Sequence, residues 1–198
     1  SLNCGKGSLD DKKNIRKNIE YVKRKIKSKK NDIALLYQVH SSKFYFIKKL
    51  PKKKLFGDGL ITNAKSLPLG VVTADCVPIL ILDYNRKIIA AVHAGWKGAY
   101  KNIVTKVLKK LVKSGSKKQN IIVSIGPSIR QKNYEVGKEF KDKFLKKSKK
   151  NIIFFKLKKN RIYFDLVKFI HSQLISFGIH KIDVIRKDTF DKKNNFFS

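Results

Sequence analysis

Three short stretches stand out from a lysine-rich background: Gln38-Val39-His40, Thr73-Ala74-Asp75-Cys76 and Ala91-Val92-His93-Ala94-Gly95-Trp96-Lys97-Gly98. His40, Cys76 and His93 offer two imidazoles and one thiolate, a donor set suited to Zn²⁺ or to copper. Three protein ligands leave a fourth tetrahedral position for water or substrate, as in a catalytic rather than a structural zinc site. The spacing alone is not diagnostic, because no compact CxxC or HxxxH pair is present. A buried free cysteine and two hydrogen-bonded histidines are the alternative reading.

Other residues near these stretches could serve such a site. Gly95 and Gly98 flank Trp96 and Lys97 just before a helix, where backbone N–H groups can approach an anion and Lys97 adds positive charge. A plain strand-to-helix turn is the alternative. Asp75 can hold a ligating imidazole or move a proton, or merely close a turn. Glu135, after Gly126-Pro127 and Tyr134, is a candidate acid or base, or the first-turn acid of a helix. His171 and His180 read as structural.

The elements that must position these residues follow from apolar spacing. Asp10 and Asp11 can cap a helix with Ile15, Ile19, Val22 and Ile26 on one face. Ile33 to Gln38 and Lys43 to Ile47 read as strands, and Pro51 to Gly59 as a basic loop. Leu69 to Thr73, Val77 to Leu82 and Ile88 to Val92 are buried-strand candidates, with a turn at Asp83-Tyr84-Asn85. Gly98 to Lys113 is the clearest helix, and Gly115 sits where a C-terminal cap belongs. Ile121 to Ile125 reads as a strand and Tyr134 to Lys146 as a helix. Ile152 to Leu157 and Arg161 to Phe164 form a hairpin, Asp165 caps a helix that ends at Gly178, and Lys181 to Arg186 is a late strand. Each chemical stretch adjoins a strand end, and strand ends at one sheet edge converge. Without strict βαβ alternation, the expected fold is α+β with mixed β-sheets packed against helices.

Composition bounds the rest. The 198 residues carry 47 Lys+Arg against 14 Asp+Glu, a formal net charge of +33. Hydrophobic residues make up 42% and aromatics 11%, enough for one core and too many for a disordered chain. The longest apolar run, Val77 to Leu82, is strand-sized, so no membrane span is expected. Only Arg16, Arg24, Arg86, Arg130, Arg161 and Arg186 are arginines, and the lysines are spread along every segment. That distribution favours a solvated, compositionally biased surface over a specific nucleic-acid site, although salt-sensitive RNA binding is expected in vitro. Two cysteines, Cys4 and Cys76, suit a reduced, cytoplasmic chain better than a disulfide framework. Met is absent, so residue 1 is expected not to be the native start.

Together these stretches resemble the YfiH family, whose members have been called laccase-domain (multicopper polyphenol oxidase-like) proteins, purine nucleoside phosphorylases and peptidoglycan editing factors. The resemblance rests on Ser1-Leu2-Asn3-Cys4-Gly5 with Asp10-Asp11, Gln38-Val39-His40, Asp58-Gly59-Leu60-Ile61-Thr62, Thr73 to Ile79, Ala90 to Gly98, and Ile125-Gly126-Pro127 through Tyr134-Glu135-Val136-Gly137. It spans nearly the whole chain and implies one domain over 1–198, without the family's flanking segments. It implies that His40, Cys76 and His93 ligate one zinc. It further implies phosphorolysis of adenosine, inosine, guanosine or methylthioadenosine and deamination of adenosine, with purine nucleoside and phosphate as substrates. In that reading Asp75 or Glu135 moves protons and Lys97 holds phosphate. The sequence departs from the family where Lys97 replaces the usual Arg and Cys4 an aliphatic residue. The HxE and PCxxC signature of nucleobase deaminases is absent. Three other functions fit the same residues: a peptidoglycan-precursor editing amidase, a Cys–His hydrolase built on Cys76 and His93, and a non-catalytic basic protein that binds RNA or membrane surfaces. A true multicopper oxidase needs more histidines than the four here.

Overall fold

The computed structural model describes residues 2–5, 7–28 and 32–198; Ser1 of the amino-terminal motif lies outside them. The elements are α1 (Lys12–Lys25), β1 (Phe44–Phe46), β2 (Gly59–Thr62), β3 (Val77–Asp83), β4 (Ile88–Ala94), α2 (Trp96–Tyr100), α3 (Ile103–Lys113), β5 (Ile121–Ile125), β6 (Glu135–Val136), α4 (Lys138–Lys147), β7 (Phe155–Lys158), β8 (Arg161–Phe164), α5 (Leu166–Phe177) and β9 (Lys181–Val184). Six strands form a mixed sheet in the order β1-β2-β4-β3-β5-β9, and β6-β8-β7 form a second, antiparallel sheet. This is the expected α+β architecture. No helix among the described residues is long and apolar enough to cross a membrane.

The hairpin of β3 and β4 organises the main sheet. Their register runs from Val77 opposite Ala94 to Asp83 opposite Ile88, and the Asp83 carboxylate closes the turn by accepting from the N–H groups of Asn85 and Arg86. One face of β4, with Ala90, Val92 and Ala94, packs against Ile103, Val104, Val107 and Leu108 of α3. The other face meets a smaller cluster of Ala34, Ile47, Leu60 and Leu67. Alternation along β4 puts His93 on this second face with Ala91, which pairs with Leu60.

A second centre of packing is aromatic. Phe144 is fully buried, with ring centroids 4.7 Å from Phe164, 4.8 Å from Phe140, 5.1 Å from Tyr100 and 5.2 Å from Phe169. Tyr134 joins its edge through Phe140 and Phe164, at 6.4 and 6.0 Å. Such tilted and edge-on pairs add to the burial of the rings themselves.

Several expected elements differ. Ile33 to Gln38 and Leu69 to Thr73 are not strands; they touch through one isolated bridge, Ala34 to Leu69, and Tyr37 makes another with Phe56. Where a strand would continue, the Gln38 carboxamide takes the partner's place: it donates to Val72 O at 2.7 Å and accepts from Val72 N at 2.8 Å. The helix expected over Gly98 to Lys113 is broken by Asn102, which sits at φ 58, so α2 and α3 are separate. Gln173 on α5 fixes the break, donating to Ala99 O and Asn102 Oδ1 at 2.9 and 3.0 Å. The helix expected from Tyr134 starts only at Lys138, because Tyr134 to Val136 lie along β8 instead. In the later hairpin β7 begins at Phe155, after a short 3₁₀ stretch, and Lys159 and Asn160 take positive φ in its two-residue turn. Ile15 on α1 is buried, but Ile26, just past the end of the helix, is exposed. Lys23 is buried instead, held by Glu20 and Asp32 at 3.0 and 2.9 Å.

Phe144→Ala is expected to cost about 3–5 kcal/mol of stability in urea denaturation. Leu80→Ala, on the open face of β3, should cost about 0.5 kcal/mol or less.

Candidate metal centre

The antiparallel pairing of β3 with β4 places the start of one strand beside the end of the other. Cys76, just before β3, therefore lies next to His93 and Gly95 at the end of β4. Strand β2 pairs with β4 so that Gly59 faces Val92, which sets Asp58 beside His93. His40 arrives from the loop before β1, and Gln38, two residues upstream, ties that loop to Val72 on the segment leading to Cys76. The ligand atoms of His40, Cys76 and His93 all lie within 4.8 Å of one another, with Cys76 Sγ and His40 Nε2 3.7 Å apart. Donors around a tetrahedral zinc stand roughly 3.3–3.8 Å apart, so small adjustments close the set on one ion. His93 is buried, Cys76 is partly buried and His40 is exposed, which leaves one side accessible to solvent.

The fully buried Asp58 sets the geometry. Its Oδ1 accepts from His93 Nδ1 at 2.8 Å and His40 N at 3.0 Å; its Oδ2 accepts from Ser41 N at 2.6 Å and Ser41 Oγ at 2.7 Å. Because a carboxylate only accepts, His93 carries its proton on Nδ1 and presents the Nε2 lone pair to an ion. The imidazole-holding role considered for Asp75 thus belongs to Asp58, a residue seen in the sequence only as part of a motif. An acid directly before a β-branched strand in a lysine background was the available signal; its complete burial was not.

Gly95 supplies an independent test of fit. A Cβ built there would stand 2.9 Å from Cys76 Sγ and 2.9 Å from His40 Cδ2. The glycine keeps open the space in which the ligands approach one another. At Gly98 a Cβ would meet Ser41 O at 2.9 Å, so that glycine allows α2 to pack on the His40 loop. Both glycines thus have packing reasons that do not require an anion. The residues present fit a metal ion.

Electrostatics agree with a ligand set. Burial holds the His40 pKa below its ordinary value, with the nearby His93 and Lys97 acting the same way against the pull of Asp58, so the imidazole is neutral at pH 7. Burial alone would raise Asp58, but the bonds from His93 and Ser41 outweigh it and the carboxylate stays ionised. In the metal-free protein the Cys76 thiol is pushed up to about 11 by burial, with Asp75 and Asp58 adding to it. Tyr134 is likewise raised by burial and then by the charges of Cys76 and Asp75, so its phenol remains a donor beside the centre.

The remaining expected site residues are placed as follows. Asp75, at φ 71, directs its carboxylate to hydroxyls of the carboxy-terminal segment. Lys97 is exposed on α2, 5.7 Å from the Trp96 ring centroid and close enough to act on His40. Glu135 is exposed on β6 and paired with Arg161 at 3.2 Å. It is not a first-turn helix acid, since α4 begins after Gly137. His171 is half-buried on α5 and His180 is exposed after it.

A family model described as multi-copper polyphenol oxidoreductase laccase matches residues 1–198. The chain belongs to that family. Among its relatives, a purine nucleoside phosphorylase of Rickettsia conorii is 40% identical over 164 residues, covering 82% of this chain and 68% of the relative. One of Rickettsia prowazekii is 36% identical over 185 residues, covering 90% and 74%. Among solved structures, a hypothetical protein YfiH of Bacillus licheniformis superposes with a TM-score of 0.90 at 26% identity, covering 100% of this chain and 79% of its own. YlmD of Geobacillus stearothermophilus, at 24% identity and a TM-score of 0.89, has the same fold. The YfiH resemblance is therefore established. The family's description mentions several coppers, whereas the described residues of this chain gather three metal-ligating side chains at one point.

Two outcomes are expected. Gly95→Ala should weaken zinc binding at least about 100-fold in chelator competition, with little change in the unfolding of the metal-free protein. Zinc affinity should rise roughly tenfold per pH unit between pH 7 and 9, because binding must displace the Cys76 proton while His40 is already neutral.

Proposed function

We propose that the chain is a zinc-dependent purine nucleoside phosphorylase. The observation that carries this reading is the three-ligand cluster of His40, Cys76 and His93, open on one side and beside a cation. The purine nucleoside phosphorylases among its relatives support the substrate class. A zinc ion bound there would supply a Lewis acid with one position free for a substrate oxygen or nitrogen.

In phosphorolysis the bond between the sugar's anomeric carbon and the base nitrogen breaks, and an oxygen of phosphate bonds to that carbon. The base leaves with the electron pair and needs a proton. Lys97 is the residue proposed to hold phosphate, as a point charge rather than a bidentate fork. Asp75 and Glu135 are the candidates for proton transfer. Burial and the nearby Cys76 and Asp75 keep the Tyr134 phenol protonated, which makes it a further candidate donor, whereas Glu135 pairs with Arg161 at the surface. Deamination of adenosine belongs to the same proposal, with water replacing the amino group and ammonia leaving.

One observation favours a second reading. Cys76 Sγ and His40 Nε2 are 3.7 Å apart, so a Cys–His nucleophile would pair Cys76 with His40 rather than with the His93 expected from the sequence. The high thiol pKa weighs against it, since little thiolate forms at pH 7 without a metal.

The test supplies adenosine and inosine to zinc-loaded protein with and without phosphate and resolves the free base, ribose 1-phosphate and inosine. Phosphate-dependent release of base is expected, abolished by a strong chelator and restored by zinc. Cys76→Ala should lower the rate at least about 1,000-fold. Activity that survives chelation but not alkylation of Cys76 would instead identify a cysteine hydrolase. Binding of RNA that collapses with salt and ignores all three ligands, in a protein with no turnover, would leave only the basic surface.

A further inference from the structure

Asp75 adjoins the ligand Cys76 in the chain, yet its carboxylate turns to hydroxyl groups. Thr189 Oγ1 donates to Oδ1 at 2.8 Å, and Ser198 Oγ donates to Oδ2 at 3.0 Å. The two donors differ in kind. Thr189 is 5% exposed, and its N–H bonds to Ser128 O at 3.2 Å. It follows Asp188, which is itself buried and accepts from Arg130 N at 3.2 Å and Asn133 Nδ2 at 2.8 Å. Ser198 is exposed. One oxygen of Asp75 is therefore gripped from the core, and the other meets a hydroxyl from the solvent side. The backbone of Asp75 is fixed as well: Ile129 N donates to its carbonyl at 3.0 Å, and its φ of 71 holds the residue in the left-handed region.

We propose that Asp75 binds the vicinal hydroxyl pair of the nucleoside sugar, that the Ser198 hydroxyl marks the place a sugar hydroxyl takes, and that Thr189 is the positioning residue for the carboxylate. This assignment rests on the phosphorylase reading. An ionised carboxylate offers about four acceptor positions, so with Thr189 in place it still has room for a diol. Of the substrate's parts, the sugar is the one rich in hydroxyl donors. Phosphate would be repelled by Asp75 and drawn to Lys97. A carboxylate built to receive hydroxyls discriminates strongly against a sugar that lacks one.

The experiment measures phosphate-dependent kcat/KM for adenosine, 2′-deoxyadenosine and 3′-deoxyadenosine with zinc-loaded wild type, Thr189→Val, Thr189→Ser and Asp75→Asn. Zinc content is measured alongside. Wild type is expected to favour adenosine over each deoxy analogue by at least about tenfold. Thr189→Val should narrow that preference to about threefold or less, chiefly by raising KM for adenosine, at unchanged zinc content. Thr189→Ser should retain the preference, and Asp75→Asn should lose it. Equal kcat/KM for the three nucleosides in wild type, or an undiminished preference in Asp75→Asn or Thr189→Val, would overturn the sugar-binding role while leaving phosphorolysis intact. Absence of phosphate-dependent cleavage of any purine nucleoside by wild type would overturn the phosphorylase reading, and this assignment with it.

Discussion

The carboxylate of Asp58 is wholly removed from solvent, and a charge in that position is tolerated only if donors meet it from all sides. Here they do. Its four hydrogen bonds, from His40 N, Ser41 N, Ser41 Oγ and His93 Nδ1, match the number of positions a carboxylate can fill. Those donors come from the loop before β1 and from β4, while Asp58 itself precedes β2. One residue's need for donors therefore fixes a loop against a sheet. It also turns the His93 ring so that its free nitrogen faces Cys76 and His40. A buried pair of this kind is weak evidence for stability; its consequence here is orientation.

Two residues of the site occupy the left-handed region without being glycine: His40 at φ 55 and Asp75 at φ 71. Such conformations cost about 1–3 kcal/mol each and persist where surrounding contacts over-determine them. The contacts are identifiable. His40 is held through its own N–H by Asp58, and Asp75 through its carbonyl by Ile129 and its carboxylate by Thr189. Between them Gln38 joins the two loops by pairing with both backbone groups of Val72. His40, Cys76 and His93 converge because strand ends do, and they stay converged because polar side chains rather than a ladder of strands bind the loops together.

This division explains what could be read from the chain. The hairpin of β3 and β4, the capped α1 and α5 and the late hairpin follow from apolar periodicity, cap residues and turn residues, which act locally. The donor set of His40, Cys76 and His93 was legible from residue type at strand ends. Gln38 is visible too, but not as a backbone mimic, and by apolar pattern alone the two extended segments read as strands. The break at Asn102 depends on Gln173, 71 residues further along the chain, and no local pattern announces it. The importance of Asp58, Thr189 and Tyr134 likewise comes from groups brought to them by the fold. Glu135 attracted notice as an acid beside a motif. Its neighbour Tyr134, whose carbonyl accepts from Phe164 N, instead packs its ring on the aromatic cluster.

The lysine excess can be weighed in the same physical terms. Many of these side chains lie along aromatic rings: Lys118 over Phe177 at 4.8 Å, Lys147 over Tyr100 at 4.5 Å, Lys181 over Tyr84 at 4.9 Å, and Lys143 between Trp96 and Tyr100 at 5.5 and 5.7 Å. Their stems cover apolar surface while their charges stay in water. These contacts fall on α2, α4, α5, β9 and the turns after β3 and α3 rather than on a single groove, which argues for a dispersed field instead of a nucleic-acid track. A net charge of +33 nevertheless surrounds an open centre with positive potential. That potential raises the local concentration of anions and weakens as salt is added. Any anion that approaches the centre gains from it without a bidentate contact.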